Sequence, residues 1–160
     1  MGAMLADLLK DPEKLHNIEV GNVYRVSLGK NDGLTVCESK EFKIKYFIVV
    51  GIDRTNGIIY GGLLISSKAP YTASSQMLDY QYLIKSKINT FLNKDSWINC
   101  TRIFPAAKEK LTYSNFIGCL DNESTYYIIA AILDENNPVI TNKERKKYNI
   151  VLPDDSDLGF

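Results

Sequence analysis

Three polar side chains stand where predicted strands begin or end, and their types suit phosphate chemistry. Lys45 begins the apolar run KYFIVVGI, Ser66 follows GGLLI, and Arg102 lies near the end of SWINCTRIF. Two cations around one hydroxyl favour a phosphodiester, and they would stabilise the negative charge that develops when it is cleaved. The sequence therefore predicts a phosphate-binding site formed by Lys45, Ser66 and Arg102.

Cleavage of a phosphodiester by a neighbouring hydroxyl would also need a base for that hydroxyl and an acid for the leaving oxygen. His16 is the only histidine and would be the natural acid–base residue, but it precedes the first predicted strand. A structural position at the end of a helix is the alternative for it. Asp32, Glu38 and Glu41, in a long polar stretch, could supply a base. The sequence shows no Gly-rich phosphate loop and no metal-ligand spacing, so we expect no metal or other cofactor.

Aromatic and basic residues occur together in the segment YQYLIKSK. Tyr80 and Tyr82, with Lys85 and Lys87, would suit single-stranded RNA, whose bases stack on aromatic rings with about 1–3 kcal/mol per base. The alternative is that these tyrosines are half-buried on the face of a sheet. Arg102 has a similar alternative, a structural ion pair at the rim of a barrel.

The composition is typical of one soluble globular domain. The 160 residues suffice for a full core, and 19 basic residues balance 19 acidic ones. This balance gives no global preference for nucleic acid or membrane, although a local basic patch could still bind RNA. No segment reaches the roughly 20 apolar residues of a membrane span, and we identify no secretory leader. The scattered Cys37, Cys100 and Cys119 predict reduced thiols in a cytoplasmic protein.

Short apolar runs between turn signals predict a mainly β fold, a small and strongly bent SH3-like barrel. Strands are expected over NVYRVSL, KYFIVVGI, IIYGGLLIS, YQYLIKS and SWINCTRIF. Asn56-Gly57 is the strongest hairpin signal because both residues tolerate a positive φ. Gly61-Gly62 predicts a bulge or a close approach of two backbones. A sandwich with an appended helix is the alternative.

Strand alternation also assigns the core. On SWINCTRIF it places Arg102 on the same inner face as Ile98 and Cys100, so that Arg102 would emerge at the barrel rim. The predicted core residues are Tyr24, Val26, Phe47, Val49, Leu63, Ile65, Ile103 and either Trp97 or Ile98.

Helices are expected at both ends of a single domain spanning residues 1–160. Residues 4–16 predict a short N-terminal helix, DNESTYYIIAAILDEN predicts a C-terminal helix, and PAAKEKL predicts a helical turn. The barrel would occupy residues about 18–133. Residues 134–160 carry the charged runs KERKKY and DDSD, so we expect a weakly ordered tail. Loops are expected over 29–43, as a lid on the site, and over 67–79.

The order of these segments resembles the PemK/MazF family of toxin endoribonucleases. The similar segments are GNVYRVSL, KIKYFIVVG, GGLLISS and SWINCTRIFPAAKEKL with FIGCL, over roughly residues 20–133. The resemblance implies a barrel of this family's type and a sequence-selective, metal-independent endoribonuclease. It also implies the toxin of a toxin–antitoxin system, which cleaves single-stranded RNA, forms a homodimer and binds an antitoxin protein.

One replacement within this resemblance leaves an alternative function open. Lys45 and Tyr46 stand where the family carries an Arg-Pro pair that serves catalysis, and Ser66 or Ser67 stands at its Ser/Thr position. Lysine gives a point charge where arginine gives a planar, two-pronged donor. The alternative is therefore a catalytically degenerate barrel of the same lineage, encoded by a phage or mobile element, that binds RNA or a protein.

Overall fold

Seven antiparallel strands form one curled sheet in this computed structural model, which describes residues 16–29, 42–65 and 78–152. The strands are β1 (Asn22–Gly29), β2 (Phe42–Asp53), β3 (Ile58–Ile65), β4 (Gln81–Ile84), β5 (Ser96–Asn99), β6 (Phe104–Ala107) and β7 (Phe116–Cys119). Their order is β4-β5-β3-β2-β1-β7, and β6 pairs with β3. The helices are α1 (Asn122–Leu133) and α2 (Asn142–Lys147). The predicted fold class, mainly β with a small barrel-like sheet and a C-terminal helix, is confirmed.

The predicted hairpin joins β2 to β3. Asp53 pairs with Ile58, so the turn holds four residues, and Gly57 is the one with a positive φ, 67°. The Asp53 carboxylate accepts hydrogen bonds from the backbone and the side chain of Asn56, at 3.2 and 2.8 Å. The hairpin is therefore confirmed, whereas the turn is longer than a two-residue Asn-Gly loop, because Asp53 closes it with its side chain.

The glycine pair of β3 lies beside a bulge in the neighbouring strand. The register of β2 shifts between Val49 and Gly51, which leaves Val50 without a partner in the ladder. At Gly61, a Cβ atom would collide with the carbonyl oxygen of Ile48 and with the ring of Phe47. The predicted close approach of two backbones is confirmed, and the bulge belongs to β2, opposite the glycines.

Both faces of the central strands are buried, each in its own apolar cluster. One cluster covers the face that carries Tyr24 and Phe47, and the other packs the opposite face, with Ile48 and Ile98, under the apolar side of α1. Five of the predicted core residues are buried, and so is Ile98, which was the alternative to Trp97. The five are Tyr24, Val26, Phe47, Val49 and Leu63. The half-buried ones are Ile65, Trp97 and Ile103.

The single strand predicted over residues 96–104 is wrong, because the chain turns after Asn99. The side-chain oxygen of Asn99 accepts hydrogen bonds from the backbone and the hydroxyl of Thr101, at 2.9 and 2.6 Å. Consequently β5 pairs with the end of β3, while β6 pairs with its beginning. The expected helical turn PAAKEKL is also mostly wrong, since its first residues belong to β6 and only Lys108–Lys110 form a 3₁₀ turn.

The expectation of a weakly ordered tail does not hold for residues 134–152. Ile140, Tyr148 and Ile150 are buried in the cluster under α1. The charged run between them forms α2, whose start is closed by reciprocal hydrogen bonds between Thr141 and Glu144. Apolar residues that flank the charged run thus anchor it. The helix expected over 4–16 and the loops expected over 29–43 and 67–79 fall mostly outside the described residues.

Candidate functional site

A cleft of about 310 Å³ opens beside Lys45 and Tyr46 of β2. It is named the basic cleft here, and its lining is Arg25, Lys45, Tyr46, Leu64, Ile65 and Ser96. Four neighbouring strands contribute: β1, β2, β3 and β5. The site therefore lies across the strands, as the curled sheet brings their residues to one surface.

Two cations line this cleft from adjacent strands. In the β1–β2 ladder, Arg25 is opposite Tyr46 and Val26 is opposite Lys45, so the two cations are one position apart on adjacent strands. Opposite residues in such a ladder have Cβ atoms about 4.5–5.5 Å apart. Arg25 is therefore beside Tyr46 on one face of the ladder, whereas Lys45 is beside Val26 on the other face, and both cations contribute to the lining of the cleft.

The lining of the basic cleft is positively charged. Arg25 is exposed, Lys45 is half-buried, and none of the described lining residues is a carboxylate. The hydroxyl of Ser96 donates its proton to the carbonyl oxygen of Lys94 at 3.1 Å, which leaves its oxygen free to accept a hydrogen bond. The cleft thus offers cations for phosphate oxygens and an acceptor for a hydroxyl such as that of a ribose.

Of the predicted phosphate site, the structure places only Lys45 in the basic cleft. Lys45 lines the basic cleft, Ser66 lies outside the described residues directly after Ile65, and Arg102 does not line the cleft. Arg102 is exposed, and its guanidinium carbon lies 4.8 Å from the ring centre of Phe104. The inner-face assignment of Arg102 is wrong, because the turn after Asn99 interrupts the strand alternation on which it depended.

Sequence reasoning missed Arg25. Alternation along NVYRVSL separates it from the face of Tyr24 and Val26, which suggested a solvated side chain. The signal that identifies it is the cross-strand pairing with Tyr46. That register depends on how residues 30–41 connect the two strands, and a connection of this length does not fix a register.

Tyr80 and Tyr82 lie in a separate groove of about 520 Å³ between β4 and α1. It is named the tyrosine groove here, and its lining is Asp79, Tyr80, Gln81, Tyr82, Cys100, Tyr127, Ala130, Ala131 and Asp134. Lys85 and Lys87 are exposed after β4 and do not line it. The predicted grouping of two tyrosines with these two lysines is therefore not found.

His16 takes part in a hydrogen-bonded group on β1 and does not line the basic cleft. Its Nε2 lies 2.5 Å from the hydroxyl of the fully buried Tyr24. The side-chain amide of Asn22 donates to the same hydroxyl at 3.2 Å. The ring of His16 also packs edge-on against Tyr24. This arrangement gives His16 a structural role in fixing the segment before β1.

The described part of the chain contains no metal-binding cluster, and its buried cysteine is unreactive. No group of three or more His, Cys, Asp or Glu residues is placed to hold a metal ion there. Cys100 is buried, and burial raises the pKa of its thiol to about 12, which keeps it protonated and unreactive near neutral pH. Within the same residues, no helix combines the length and apolar character needed to cross a membrane.

Comparison with known proteins adds no relative. No protein-family model matches the chain, and no curated protein matches it either. Functional inference therefore depends on the basic cleft, on the tyrosine groove and on the sequence segments that resemble the PemK/MazF family.

Proposed function

We propose that the basic cleft binds the phosphodiester backbone of single-stranded RNA and cleaves it without a metal ion, so that the protein is an endoribonuclease. The observation that carries this proposal is the presence of both Arg25 and Lys45 in the lining of one cleft whose described lining contains no carboxylate. A site of this charge favours a phosphate, and two fixed cations suit a phosphorane that gains charge as it forms.

The cleft residues can be assigned to the steps of such a cleavage. The ribose 2′-hydroxyl gives its proton to hydroxide from solvent, its oxygen attacks phosphorus to form a 2′,3′-cyclic phosphate, and the 5′-oxygen leaves and takes up a proton. Arg25 can hold two non-bridging oxygens with its planar guanidinium, and Lys45 adds a point charge. The hydroxyl of Tyr46 is the proton donor available to the leaving oxygen, because phenols can act as general acids.

Arg25 also bears on the main difference between this chain and the PemK/MazF pattern, which is the loss of an arginine. The resemblance implies a catalytic arginine where this chain has Lys45, followed by Tyr46 where proline is expected. Since Arg25 is opposite Tyr46 on the adjacent strand, a guanidinium is present in the cleft from another position. An arginine that reaches the cleft from a different strand supports the proposal that the reaction still uses an arginine.

A binding module without catalysis is the second candidate function. It is favoured by the absence of a carboxylate or histidine from the described lining of the cleft, which leaves no side-chain base there for the ribose hydroxyl. The single histidine is engaged with Tyr24 instead. In this alternative the cleft holds RNA, or an acidic segment of a protein, through Arg25 and Lys45 alone.

The test is cleavage of a labelled single-stranded RNA pool by the purified protein in EDTA, with product ends identified by mass spectrometry. We expect products that end in a cyclic phosphate. Arg25→Ala and Lys45→Ala should each lower the rate about 100-fold, as loss of one charge-stabilising donor does. Lys143→Ala, which removes an exposed lysine from α2, is the matched control and should leave the rate unchanged.

Tyr46→Phe separates the two candidate functions. If Tyr46 supplies the proton, this variant should bind RNA normally and cleave it slowly. RNA binding by the wild-type protein with no cleavage would establish the binding module instead. Neither binding nor cleavage, or equal rates in all variants, would show that the basic cleft is not a site for RNA.

A homodimer and an antitoxin partner are part of the same proposal. Both come from the resemblance to the PemK/MazF family, as does a cytoplasmic location. We expect light scattering at tens of micromolar to give the mass of two chains, because small barrels leave strand edges that pairing covers. A monomeric mass at that concentration would remove the dimer from the proposal and leave the cleft assignment unaffected.

A further inference from the structure

The turn between β2 and β3 contains the one Asn-Gly pair of the sequence, Asn56-Gly57. In such a pair the backbone nitrogen of glycine can attack the side-chain amide carbon of asparagine, because glycine has no Cβ to obstruct the approach. Asn56 is exposed, as are Arg54 and Thr55 before it, so water reaches this amide. The pair that forms the turn therefore also carries a reactive amide, which neither the sheet nor the basic cleft uses.

The backbone of Gly57 is bound at its carbonyl group and not at its nitrogen. Its carbonyl oxygen accepts a hydrogen bond from the backbone N–H of Lys108 at 3.0 Å. Its own N–H donates to no backbone carbonyl of the described residues in this turn. The nitrogen that would act as the nucleophile is thus not held by a backbone hydrogen bond of the turn.

The carboxylate of Asp53 restrains the other reacting group. Its Oδ2 accepts a hydrogen bond from the side-chain amide of Asn56 at 2.8 Å, and its Oδ1 accepts one from the backbone N–H of Asn56 at 3.2 Å. The side-chain bond, and then the backbone bond, lower the pKa of Asp53, so the carboxylate is ionised and a strong acceptor near neutral pH. The amide of Asn56 must rotate away from Asp53 before its carbon can come within bonding distance of the Gly57 nitrogen.

We propose that Asn56-Gly57 is a site of spontaneous deamidation and that the Asp53 carboxylate slows this reaction. The Gly57 nitrogen gives its proton to hydroxide from solvent and bonds to Cγ of Asn56, while Nδ2 takes up a proton and leaves as ammonia. Water then opens the succinimide at one of its two carbonyl carbons, which gives aspartate or isoaspartate. The product places a carboxylate beside Asp53 where an amide donated, so the two like charges repel and the turn loosens. This proposal concerns the turn and does not depend on the proposed RNA cleavage.

The test is incubation of the full chain at mildly alkaline pH in water labelled with heavy oxygen, followed by tryptic digestion and mass spectrometry. The tryptic peptide of residues 55–68 contains Asn56 as its one side-chain amide, so heavy oxygen gained by this peptide marks the site. We expect the label to accumulate there, and not at Asn93, which is equally exposed but is followed by lysine. No label in the folded chain, after a time in which the free peptide of residues 55–68 reacts completely, would overturn the proposal.

Three variants test the role of Asp53. Asp53→Ala removes the acceptor and should speed deamidation about threefold or more, as the loss of one hydrogen bond allows. Asp95→Ala is the matched control, because Asp95 accepts from the backbone and the hydroxyl of Ser86 in another exposed turn, and it should leave the rate at Asn56 unchanged. Asn56→Asp reproduces one product and should lower the Tm by roughly 2–4 °C. Equal rates in Asp53→Ala and Asp95→Ala, or an unchanged Tm in Asn56→Asp, would show that the Asp53 carboxylate does not control this turn.

Discussion

Tyr148→Ala is expected to lower the free energy of unfolding by about 3–5 kcal/mol, as removal of a buried aromatic side chain does. Tyr148 is only 8% exposed, and its ring centre lies 4.9 Å from that of Tyr60 on β3. Its hydroxyl donates to a carboxylate oxygen of Glu144 at 2.9 Å. The substitution would leave a cavity beside Tyr60 and detach the segment after α2 from the sheet. Urea denaturation followed by circular dichroism measures the change.

Tyr148→Phe is the matched control because it keeps the ring and removes the hydroxyl alone. We expect it to cost about 1 kcal/mol, the usual net value of one hydrogen bond. A loss below about 1 kcal/mol for Tyr148→Ala, with an unchanged denaturant slope, would mean that residues 134–152 are not packed on the sheet. The original expectation of a weakly ordered tail would then be correct.

The order of this segment was hidden from sequence analysis by the charged run at its centre. Averaged over a window, KERKKY is strongly polar, and polar windows predict solvation. The stabilising residues are isolated apolar ones on either side, Ile140 and Ile150, together with Tyr148. One local signal was present, since Thr141 and Glu144 have the spacing of a capping box and close the start of α2. Single apolar residues that contact a sheet distant in sequence produce no periodic hydrophobic pattern, so sequence analysis does not detect them.

Features that depend on neighbours in the sequence could be predicted well. The hairpin at Asn56-Gly57 and the helix α1 each carry a local signal, a turn pair and a capped apolar run, and both are present. Alternation within a strand correctly identified Tyr24 and Phe47 as core residues. Alternation failed beyond Asn99, because a side-chain hydrogen bond to Thr101 ends the strand there.

The candidate site depended on pairing between distant segments, and this limited what the sequence could reveal. Lys45 was identified because it begins an obvious strand. Arg25 became visible only through its position opposite Tyr46. Arg102 was favoured by an assumed continuous strand, and the structure places it outside the cleft lining. The sequence thus identified one of the cations of the basic cleft, while the other required the register of β1 and β2.

Gly61→Ala is expected to lower the free energy of unfolding by about 3 kcal/mol or more, because the added methyl group has no space. Its Cβ would overlap the carbonyl oxygen of Ile48 and the ring of Phe47, which are backbone and fully buried core respectively. Such overpacking usually costs about 1–3 kcal/mol, and a clash with backbone belongs at or above the upper end. The same substitution restricts the unfolded chain and stabilises by only about 0.4–1 kcal/mol, so the clash dominates.

Gly62→Ala provides the comparison on the same strand. Its added Cβ would lie 2.5 Å from the Cδ1 atom of Ile98, the end of a side chain that can change rotamer. We therefore expect a loss of about 1–2 kcal/mol for Gly62→Ala, clearly smaller than that for Gly61→Ala. Thermal and urea unfolding of both variants test the order. Equal losses of stability would show that β2 moves away from β3 as easily as the Ile98 side chain changes rotamer. The close approach of the two backbones beside the bulge would then not be a rigid feature of the sheet.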